Sequence, residues 1–320
     1  MEAALEAWVT GELGDPAARI EGLRRTSAGF SRENWEFDLV HAGVHEPLIA
    51  RRDPVGSVLE TDRAVETAVL RALEPTAVPA PRVRWSDPDG RRLGRPTVVM
   101  DRADGECDWF VLNGYRPLDT RIDIAHQLCD RLADIHLVDW RAAGLGTVLD
   151  DPGAAASLRA VDHWETILRG VQLEPQPDLE LVVRWLRDHA PVAETTTVVH
   201  GDFKPGNVLL VGDTVSLVLD WETVHLGDPV EDLGWVTNPL RAREHRIDGH
   251  WEPADLIGRW QVRTGLSAPA DAVRWWNVLA NLKLCVIVLT GTKAFVEGRF
   301  DRVHQPPVGL FRILLDMVGA

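Results

Sequence analysis

The chain has few cysteines, a deficit of positive charge and no long apolar run, and each shortage disfavours a class of protein. Its three cysteines, Cys107, Cys129 and Cys285, are far apart and form no CxxC pair. They therefore offer no zinc site, suit a reducing compartment and are predicted to be small buried side chains. The longest apolar run, residues 284–289, is far shorter than the ~18 residues of a membrane span, and the N-terminus is acidic where a signal peptide is positive. We expect a cytoplasmic protein without a membrane partner.

The charge balance and the missing motifs narrow the function further. The chain has 34 Lys and Arg against 49 Asp and Glu, a formal net charge of −15. Nucleic-acid binding depends on basic residues that neutralise phosphate, so we expect no nucleic-acid partner. No GxxxxGK[ST], GxSxG or HExxH motif occurs, which disfavours P-loop, α/β-hydrolase and zincin enzymes. A length of 320 residues with 45% hydrophobic residues still allows two lobes with a sizeable core.

The first hundred residues have the pattern of a small sheet with few helices. Apolar spacing predicts a short N-terminal helix that ends at residues 14–16, and strands are expected at 34–40, 46–51, 83–85 and 97–100. A helix over residues 62–73 is predicted to bury a single apolar stripe. That stripe consists of Val65, Ala68, Val69, Ala72 and Leu73. We therefore predict that residues 1–100 form a small sheet lobe.

After a predicted hinge at residues 101–105 the pattern changes to long helices. Ile124, Leu128 and Leu132 have helical spacing in a segment that Thr120 could cap, and residues 271–295 also have a helical pattern. Two short apolar runs, 208–211 and 215–219, flank Gly212-Asp213, which is typical of a β-hairpin. We predict an α+β fold in which residues 106–320 form a mostly helical lobe.

Polar side chains surround this hairpin in an order that suits phosphoryl transfer. Asp202 and Asn207 precede it in the segment HGDFKPGN, and Asp220 follows it. Transfer from ATP requires a carboxylate that orients the acceptor hydroxyl and oxygen ligands for the Mg²⁺ that bridges the phosphates. The three side chains supply both functions.

The motif HGDxxxxN followed by an aspartate resembles the aminoglycoside phosphotransferase family, which has a two-lobed, protein-kinase-like fold. The resemblance extends from about residue 22 to near the C-terminus. The segments LIARR at 48–52, ETAVLRAL at 66–73 and LADIH at 132–136 are most similar to the phosphotransferase-like domains of some acyl-CoA dehydrogenases. The resemblance to this family implies an enzyme that uses ATP, or GTP, and Mg²⁺ to phosphorylate a hydroxyl of a small molecule.

The same resemblance implies roles for individual residues. Asp202 corresponds to the catalytic aspartate and Lys204 to a lysine that reaches the transferring phosphoryl group, whereas Asn207 and Asp220 correspond to the metal ligands. The implied nucleotide contacts are Arg51 in place of the strand lysine, its helix partner Glu66, the backbone of Asp101 and Ala103 at the adenine, and Ser27 and Gly29 in the covering turn.

Supporting roles are also implied. Asp232 is expected to support the catalytic loop and Asp228 to cap the following helix, while His200 and His136 are expected to be structural. For three of these site residues the alternative is a side chain without a role in the reaction. Arg51 and Lys204 could be solvated charges, and Glu66 could be an exposed helix residue paired with a neighbouring arginine.

The chain departs from protein kinases at two points. The turn at residues 25–34 has one glycine and no GxGxxG, and Asp220 is followed by Trp-Glu, which argues against an activation-loop switch. The acceptor is therefore predicted to be a small molecule, either an aminoglycoside-like antibiotic or a hydroxylated metabolite or acyl thioester. Seven acidic residues and one lysine between 200 and 235 would suit Mg²⁺ or a cationic substrate. The alternative is a catalytically silent module that binds a nucleotide or metabolite.

Overall fold

The structure is a computed structural model that describes residues 1–26, 33–53, 63–299 and 308–319. Within these ranges the strands are β1 Arg19–Arg25, β2 Glu33–His41, β3 Val44–Arg52, β4 Val83–Asp87, β5 Thr97–Asp101, β6 Thr197–Val199, β7 Val208–Val211, β8 Thr214–Val218 and β9 His225–Gly227. The α-helices are α1 Glu2–Leu13, α2 Arg63–Leu73, α3 Leu118–His136, α4 Ala156–Val171, α5 Pro177–Asp188, α6 Val230–Val236, α7 Ala242–His245, α8 Pro253–Thr264, α9 Ala270–Val296 and α10 Val308–Val318.

The N-terminal lobe is an antiparallel sheet between two helices. Its strand order is β1-β2-β3-β5-β4. Because side chains alternate along a strand, β3 turns Leu48 and Ala50 toward one face and Ile49 and Arg51 toward the other. The first pair packs in a small core with α1 and its Trp8, whereas Ile49 packs against the core shared with α2 and the C-terminal lobe. This alternation directs Arg51 into the cleft between the lobes.

The C-terminal lobe is helical and contains two short antiparallel strand pairs, β6-β9 and β7-β8. Its central element is the 27-residue helix α9, which packs against α4, α5, α6 and α10. Gly234 of α6 lies so close to α9 that a Cβ there would be 2.4 Å from Cβ of Trp276. The α+β architecture predicted from the sequence is confirmed.

The lobes are joined by a short connection that leads directly to the β7-β8 hairpin. After β5, Glu106 forms a bridge with Leu210 through two backbone hydrogen bonds of 3.0 and 2.9 Å. Gly105 approaches the same strand with φ +140°, and a Cβ would lie 2.8 Å from the carbonyl oxygen of Leu210. The connection thereby attaches the sheet lobe to the hairpin that carries the predicted metal ligands.

Three local predictions differ from the structure. Strand β1 was not predicted, and α3 begins at Leu118 after Pro117 instead of at a Thr120 cap, since the fixed φ of proline suits the residue before a helix. Cys107, next to the hinge, is exposed, so its predicted burial is wrong. Cys129 and Cys285 are buried as expected.

Helix α9, Ala270–Val296, confirms the helix predicted at residues 271–295, and the apolar run at 284–289 lies inside it. The length and composition of α9 would allow it to cross a membrane, since its mean hydropathy is 1.6 over 18 residues. More than half of that window, 56%, is buried inside the protein, as in a core helix.

The close approach of α6 and α9 generates a stability prediction. We expect Gly234→Ala to lower the free energy of unfolding by about 1–3 kcal/mol, because the added methyl group forces the two helices apart. Gly258→Ala is the matched control, since a Cβ at this position in α8 has no atom within 4 Å. Urea denaturation measures both variants. Equal stability of the two would show that the helices adapt without cost.

Candidate active site

The loop between β6 and β7 places Asp202 in contact with two of the predicted site residues. Nζ of Lys204 lies 2.5 Å from Oδ2 of Asp202. The amide Nδ2 of Asn207 donates to the same oxygen at 2.9 Å and to the Asp202 carbonyl at 3.0 Å. The turn Pro205–Asn207 brings the two ends of the loop together. Asp202 is therefore fixed by hydrogen bonds while its other carboxylate oxygen remains available.

Asp220 follows β8, the second strand of the hairpin, and has a backbone conformation that non-glycine residues seldom adopt. Its φ is +62°, in the left-handed region, where aspartate is better tolerated than most side chains. The amide of the preceding Leu219 donates to the carbonyl of Asn207 at 2.7 Å, which holds the two predicted metal ligands at the same end of the hairpin.

Arg51 reaches across the cleft to Asp220. Its Nη2 donates to Oδ1 of Asp220 at 2.7 Å, and the Arg51 side chain is only 13% exposed. Burial raises the pKa of Asp220, but the charge and hydrogen bond of Arg51 outweigh this effect and hold it below its ordinary value. Burial likewise acts to lower the pKa of Arg51, while the carboxylates of Asp220 and Glu66 raise it. Both groups are therefore charged.

Glu66 lies on the same face but has a closer partner than Arg51. Its carboxylate is 4.0 Å from Arg51 and 2.7 Å from Arg63, which also contacts Asp53. Glu66 is buried, so the alternative of an exposed residue is wrong, although the pairing with a neighbouring arginine is present. Arg51 is also not a solvated edge charge.

A buried network below the loop fixes its backbone. The Asp232 carboxylate accepts the amides of His200 and Gly201 at 2.8 and 2.9 Å. His136 Nε2 contacts the same carboxylate at 3.1 Å, and the indole of Trp260 donates to His136 Nδ1 at 2.9 Å. Burial raises the pKa of Asp232, but these hydrogen bonds and nearby charges lower it to about 2. The expected support of the loop by Asp232 is present.

His200 is held in one neutral form. Its Nδ1 accepts the amide of Asp202 at 3.2 Å, so Nε2 carries the proton and donates to the carbonyl of Leu219 at 2.9 Å. Burial lowers the pKa of His200. The ring connects the Asp202 end of the site to the Asp220 end and is structural, as predicted.

The side-chain oxygens of Asn207 and Asp220 that make no hydrogen bond are suited to bind Mg²⁺. The amide group of Asn207 uses its nitrogen toward Asp202, and Asp220 uses one oxygen toward Arg51, which leaves one oxygen of each side chain. Carboxylate and amide oxygens are hard ligands, and Mg²⁺ is commonly held by one or two protein groups together with substrate phosphates. Among the described residues no group of three His, Cys, Asp or Glu forms a metal site, so a two-ligand site that depends on phosphate is the one that fits.

The predicted adenine contacts are only partly positioned. Asp101 ends β5, where its amide donates to the carbonyl of Arg82 at 3.0 Å and its carboxylate accepts from Arg84 at 3.2 Å. Ala103 is exposed in the hinge. Ser27 and Gly29 lie outside the described residues. Asp228 accepts the Val230 amide at 2.9 Å, but α6 begins after Pro229, one residue later than predicted.

Two residues near the loop were not predicted. The indole of Trp109 lies against Gly206 and beneath Nζ of Lys204, 4.8 Å from the ring centroid. Lys283 of α9 donates to the carbonyl of Gly201. A lysine within an apolar helical pattern was the available signal for Lys283, whereas the position of Trp109 depends on the fold of the hinge.

The family comparison agrees with this geometry. The model of the phosphotransferase enzyme family, APH, matches residues 22–265. The chain belongs to this family. The match begins within β1 and extends through the cleft to the end of α8, so it includes every described site residue named above except Lys283 of α9.

The curated relatives of this phosphotransferase-family protein are larger proteins. Acyl-CoA dehydrogenase family member 10 of Mus musculus is 30% identical over 239 residues, which make up 72% of this chain and 22% of the relative. Acyl-CoA dehydrogenase family member 11 of Homo sapiens is 25% identical over 197 residues, 59% of this chain and 24% of the relative. The chain spans about a quarter of the length of these proteins.

Solved structures share the whole fold. A Ralstonia eutropha protein assigned to the aminoglycoside phosphotransferases superposes with a TM-score of 0.75 at 23% identity, over 99% of this chain and 95% of its own. Macrolide 2'-phosphotransferase MphH from Brachybacterium faecium gives 0.61 at 19% identity, over 98% of both chains. Aminoglycoside phosphotransferase APH(4)-Ia, in a ternary complex with AMP-PNP and hygromycin B, gives 0.62 at 16% identity, over 99% of this chain and 98% of its own. The kinase-like fold is confirmed.

The Asp232 network generates a pH-dependent prediction. We expect Asp232→Asn to lower the free energy of unfolding by about 2–4 kcal/mol at pH 7, because two buried amides lose a charged acceptor. The folded-state pKa of about 2 lies below the ordinary value of 3.8. The folded state therefore binds fewer protons than the unfolded state, so the carboxylate contributes fully above about pH 4 and progressively less as the pH falls toward 2.

Urea denaturation of the two proteins at pH 7 and pH 3 measures this effect. Asp248→Asn, which changes an exposed carboxylate, is the control. A difference between wild type and Asp232→Asn that grows as the pH falls would contradict the assignment.

Proposed function

We propose that the protein transfers the γ-phosphoryl group of ATP to a hydroxyl of a small molecule in a Mg²⁺-dependent reaction. The observation that carries the proposal is the convergence of Asp202, Asn207 and Asp220 at one hairpin, with the cations Lys204 and Arg51 beside them. These are the groups that an in-line phosphoryl transfer requires.

Each side chain has a definite part in the proposed reaction. Asp202 orients the acceptor hydroxyl through its second carboxylate oxygen and accepts the hydroxyl proton. The hydroxyl oxygen bonds to the γ-phosphorus as the bond from that phosphorus to the bridging oxygen breaks and ADP leaves. Lys204, already directed at the Asp202 carboxylate, and Arg51, held at Asp220, neutralise charge that develops on the phosphoryl oxygens. Asn207 and Asp220 would hold Mg²⁺, which when bound supplies charge neutralisation across the phosphates.

Resident ion pairs prepare this site for an anionic nucleotide. Asp202 and Asp220 are each paired with a cation, and their carboxylates would otherwise repel the phosphates. The neighbours' nucleotides support the choice of ATP, since APH(4)-Ia was solved with AMP-PNP and APH(2'')-Ib with ADP. We place the reaction in the cytoplasm, with no nucleic-acid partner.

Two acceptor classes follow from the two groups of similar proteins. The structural neighbours named above act on aminoglycosides and macrolides, which favours an antibiotic-like acceptor. The relatives with higher identity are acyl-CoA dehydrogenase family members, which favours a hydroxylated metabolite or acyl thioester. In both classes the phosphorylated group is a hydroxyl.

The catalytic assignment predicts a specific loss of transfer. We expect Asp202→Asn to reduce transfer of label from [γ-³²P]ATP by at least about 10²-fold, because the amide neither accepts the hydroxyl proton nor pairs with Lys204. Asp213→Asn is the matched control, since Asp213 lies on the same hairpin with its side chain 60% exposed. A panel of kanamycin, hydroxy acids and hydroxyacyl thioesters is the acceptor set, and products are separated and weighed by mass spectrometry.

The outcomes separate enzyme from binding module. Transfer that is lost in Asp202→Asn and retained in Asp213→Asn supports the proposal. Transfer that persists in Asp202→Asn would remove Asp202 from the reaction. Nucleotide binding without transfer to any acceptor would support the silent module.

A further inference from the structure

An aromatic ring lies beside the lysine of the catalytic loop. Trp109, in the connection between the lobes, has its indole 4.8 Å from Nζ of Lys204, measured to the ring centroid. The same ammonium contacts the carboxylate of Asp202 at 2.5 Å, and the Lys204 side chain is 12% exposed. The lysine that is proposed to reach the phosphoryl group is therefore held between an anion and the face of a ring.

Trp109 differs from the other tryptophans in its exposure. All 13 tryptophans fall within the described residues, and Trp109 is the exposed one, with 47% of its surface accessible. Because apolar surface stabilises the fold in proportion to the area removed from water, a half-exposed indole contributes less to the core than a buried one. Its contact with the catalytic loop is what distinguishes this ring.

The loop has a glycine at the point where the indole meets it. A Cβ on Gly206 would lie 2.6 Å from Cε2 of Trp109, 2.7 Å from Cδ2 and 2.8 Å from Nε1. Gly206 is not one of the glycines with positive φ, so its backbone conformation is open to other residues. What this glycine permits is therefore the close approach of the ring to the loop.

The segment that carries Trp109 is fixed on both sides. Before it, the backbone of Glu106 exchanges two hydrogen bonds with Leu210 of the β7-β8 hairpin, at 3.0 and 2.9 Å. After it, Val111 and Leu112 are buried in the core of the C-terminal lobe. The indole is therefore presented to the catalytic loop by a backbone that is anchored independently of Lys204.

We propose that Trp109 is a positioning residue for Lys204 and holds its ammonium beside Asp202, within reach of the phosphoryl group that is transferred. The inference rests on the proposed function and adds a residue to it. The face of an indole attracts a cation and takes up none of its N–H donors. The ammonium thus keeps its hydrogen bonds for Asp202 and the phosphoryl oxygens, while the flexible lysine side chain is confined to one place.

The kinetic test is a double-mutant cycle between the two side chains. The proteins are wild type, Trp109→Ala, Trp109→Phe, Lys204→Met and the double variant of Trp109→Ala with Lys204→Met. Phe110→Ala is the matched control, because this neighbouring ring is 41% exposed and lies 4.6 Å from the guanidinium carbon of Arg243, measured to the ring centroid. Transfer of label from [γ-³²P]ATP to water and to the acceptor panel named above gives kcat and KM for each protein.

We expect Trp109→Ala to lower kcat about threefold to thirtyfold while KM for ATP and for the acceptor changes less than about twofold, because only the ammonium loses a contact. Trp109→Phe should retain most of the rate, since its ring still faces the cation. In the Lys204→Met background, Trp109→Ala should change kcat by less than about twofold. Gly206→Ala, which displaces the indole, should lower kcat in wild type and add no further loss to Trp109→Ala.

The spectrum of the lysines tests the same contact without catalysis. Lys204, Lys283 and Lys293 are the three lysines of the chain, so a protein labelled with [ε-¹³C]lysine gives three NMR signals, and Lys204→Met identifies one of them. The ring current of an indole shifts the signal of a group that lies over its face. We expect Trp109→Ala to move the Lys204 signal toward that of a lysine far from any ring, and Phe110→Ala to leave it in place.

Three results would overturn the inference. A loss of kcat in Trp109→Ala that is equally large in the Lys204→Met background would show that the ring acts on the loop and not through the lysine. A raised KM for ATP or acceptor with unchanged kcat would make Trp109 a contact of that substrate. An unchanged kcat together with an unmoved Lys204 signal in Trp109→Ala would exclude the contact. A failure of the proposed function is recognised separately, as a wild type that neither transfers label nor is stabilised against heat by ATP and Mg²⁺.

Discussion

The carboxylate of Asp232 accepts two successive backbone amides below the catalytic loop, and the geometry of the site depends on this contact. The amides belong to His200 and Gly201, so the direction in which the chain enters Asp202 is fixed from beneath. Gly201 has φ +78°, and a Cβ there would lie 2.9 Å from the carbonyl oxygen of Thr223. The loop therefore has one buried attachment and one position that only glycine fills without strain. The packing of α3, α6 and α8 keeps the Asp232 carboxylate in place, because His136 of α3 contacts Asp232 of α6 and accepts a hydrogen bond from Trp260 of α8.

Charge in the cleft is balanced by residues that are distant in sequence. Between 200 and 235 the chain has seven acidic residues and one lysine, which by itself suggests a cationic ligand. The fold adds Arg51 from the sheet lobe, held at Asp220, and Lys283 from α9, behind the loop. With these cations in place the cleft is suited to the phosphates of a nucleotide. The local charge count thus overstates the need for a cationic acceptor.

The motif around the hairpin allowed much of the site to be predicted, because its spacing defines which side chains meet at one turn of sheet. The two lobes and most strands also followed from periodicity. The inward face of α2 did not follow from periodicity. This helix buries Arg63 and Glu66 together with the apolar Leu70, because the two charged side chains pair with each other and Glu66 approaches Arg51 of β3. Lys283 was missed for the same reason, since its partner is a backbone carbonyl some eighty residues away. Contacts of this kind depend on tertiary packing and leave no local pattern.

The central claim is that Asp220 and Asn207 form a metal-dependent nucleotide site with Arg51. Its most direct test is the melting temperature of wild type and Asp220→Ala with ATP, in the presence and absence of Mg²⁺. A ligand that binds the folded state raises its stability by mass action. The account predicts a rise for wild type that requires Mg²⁺ and that Asp220→Ala abolishes. An equal rise without the metal, or an unchanged rise in the variant, would contradict it.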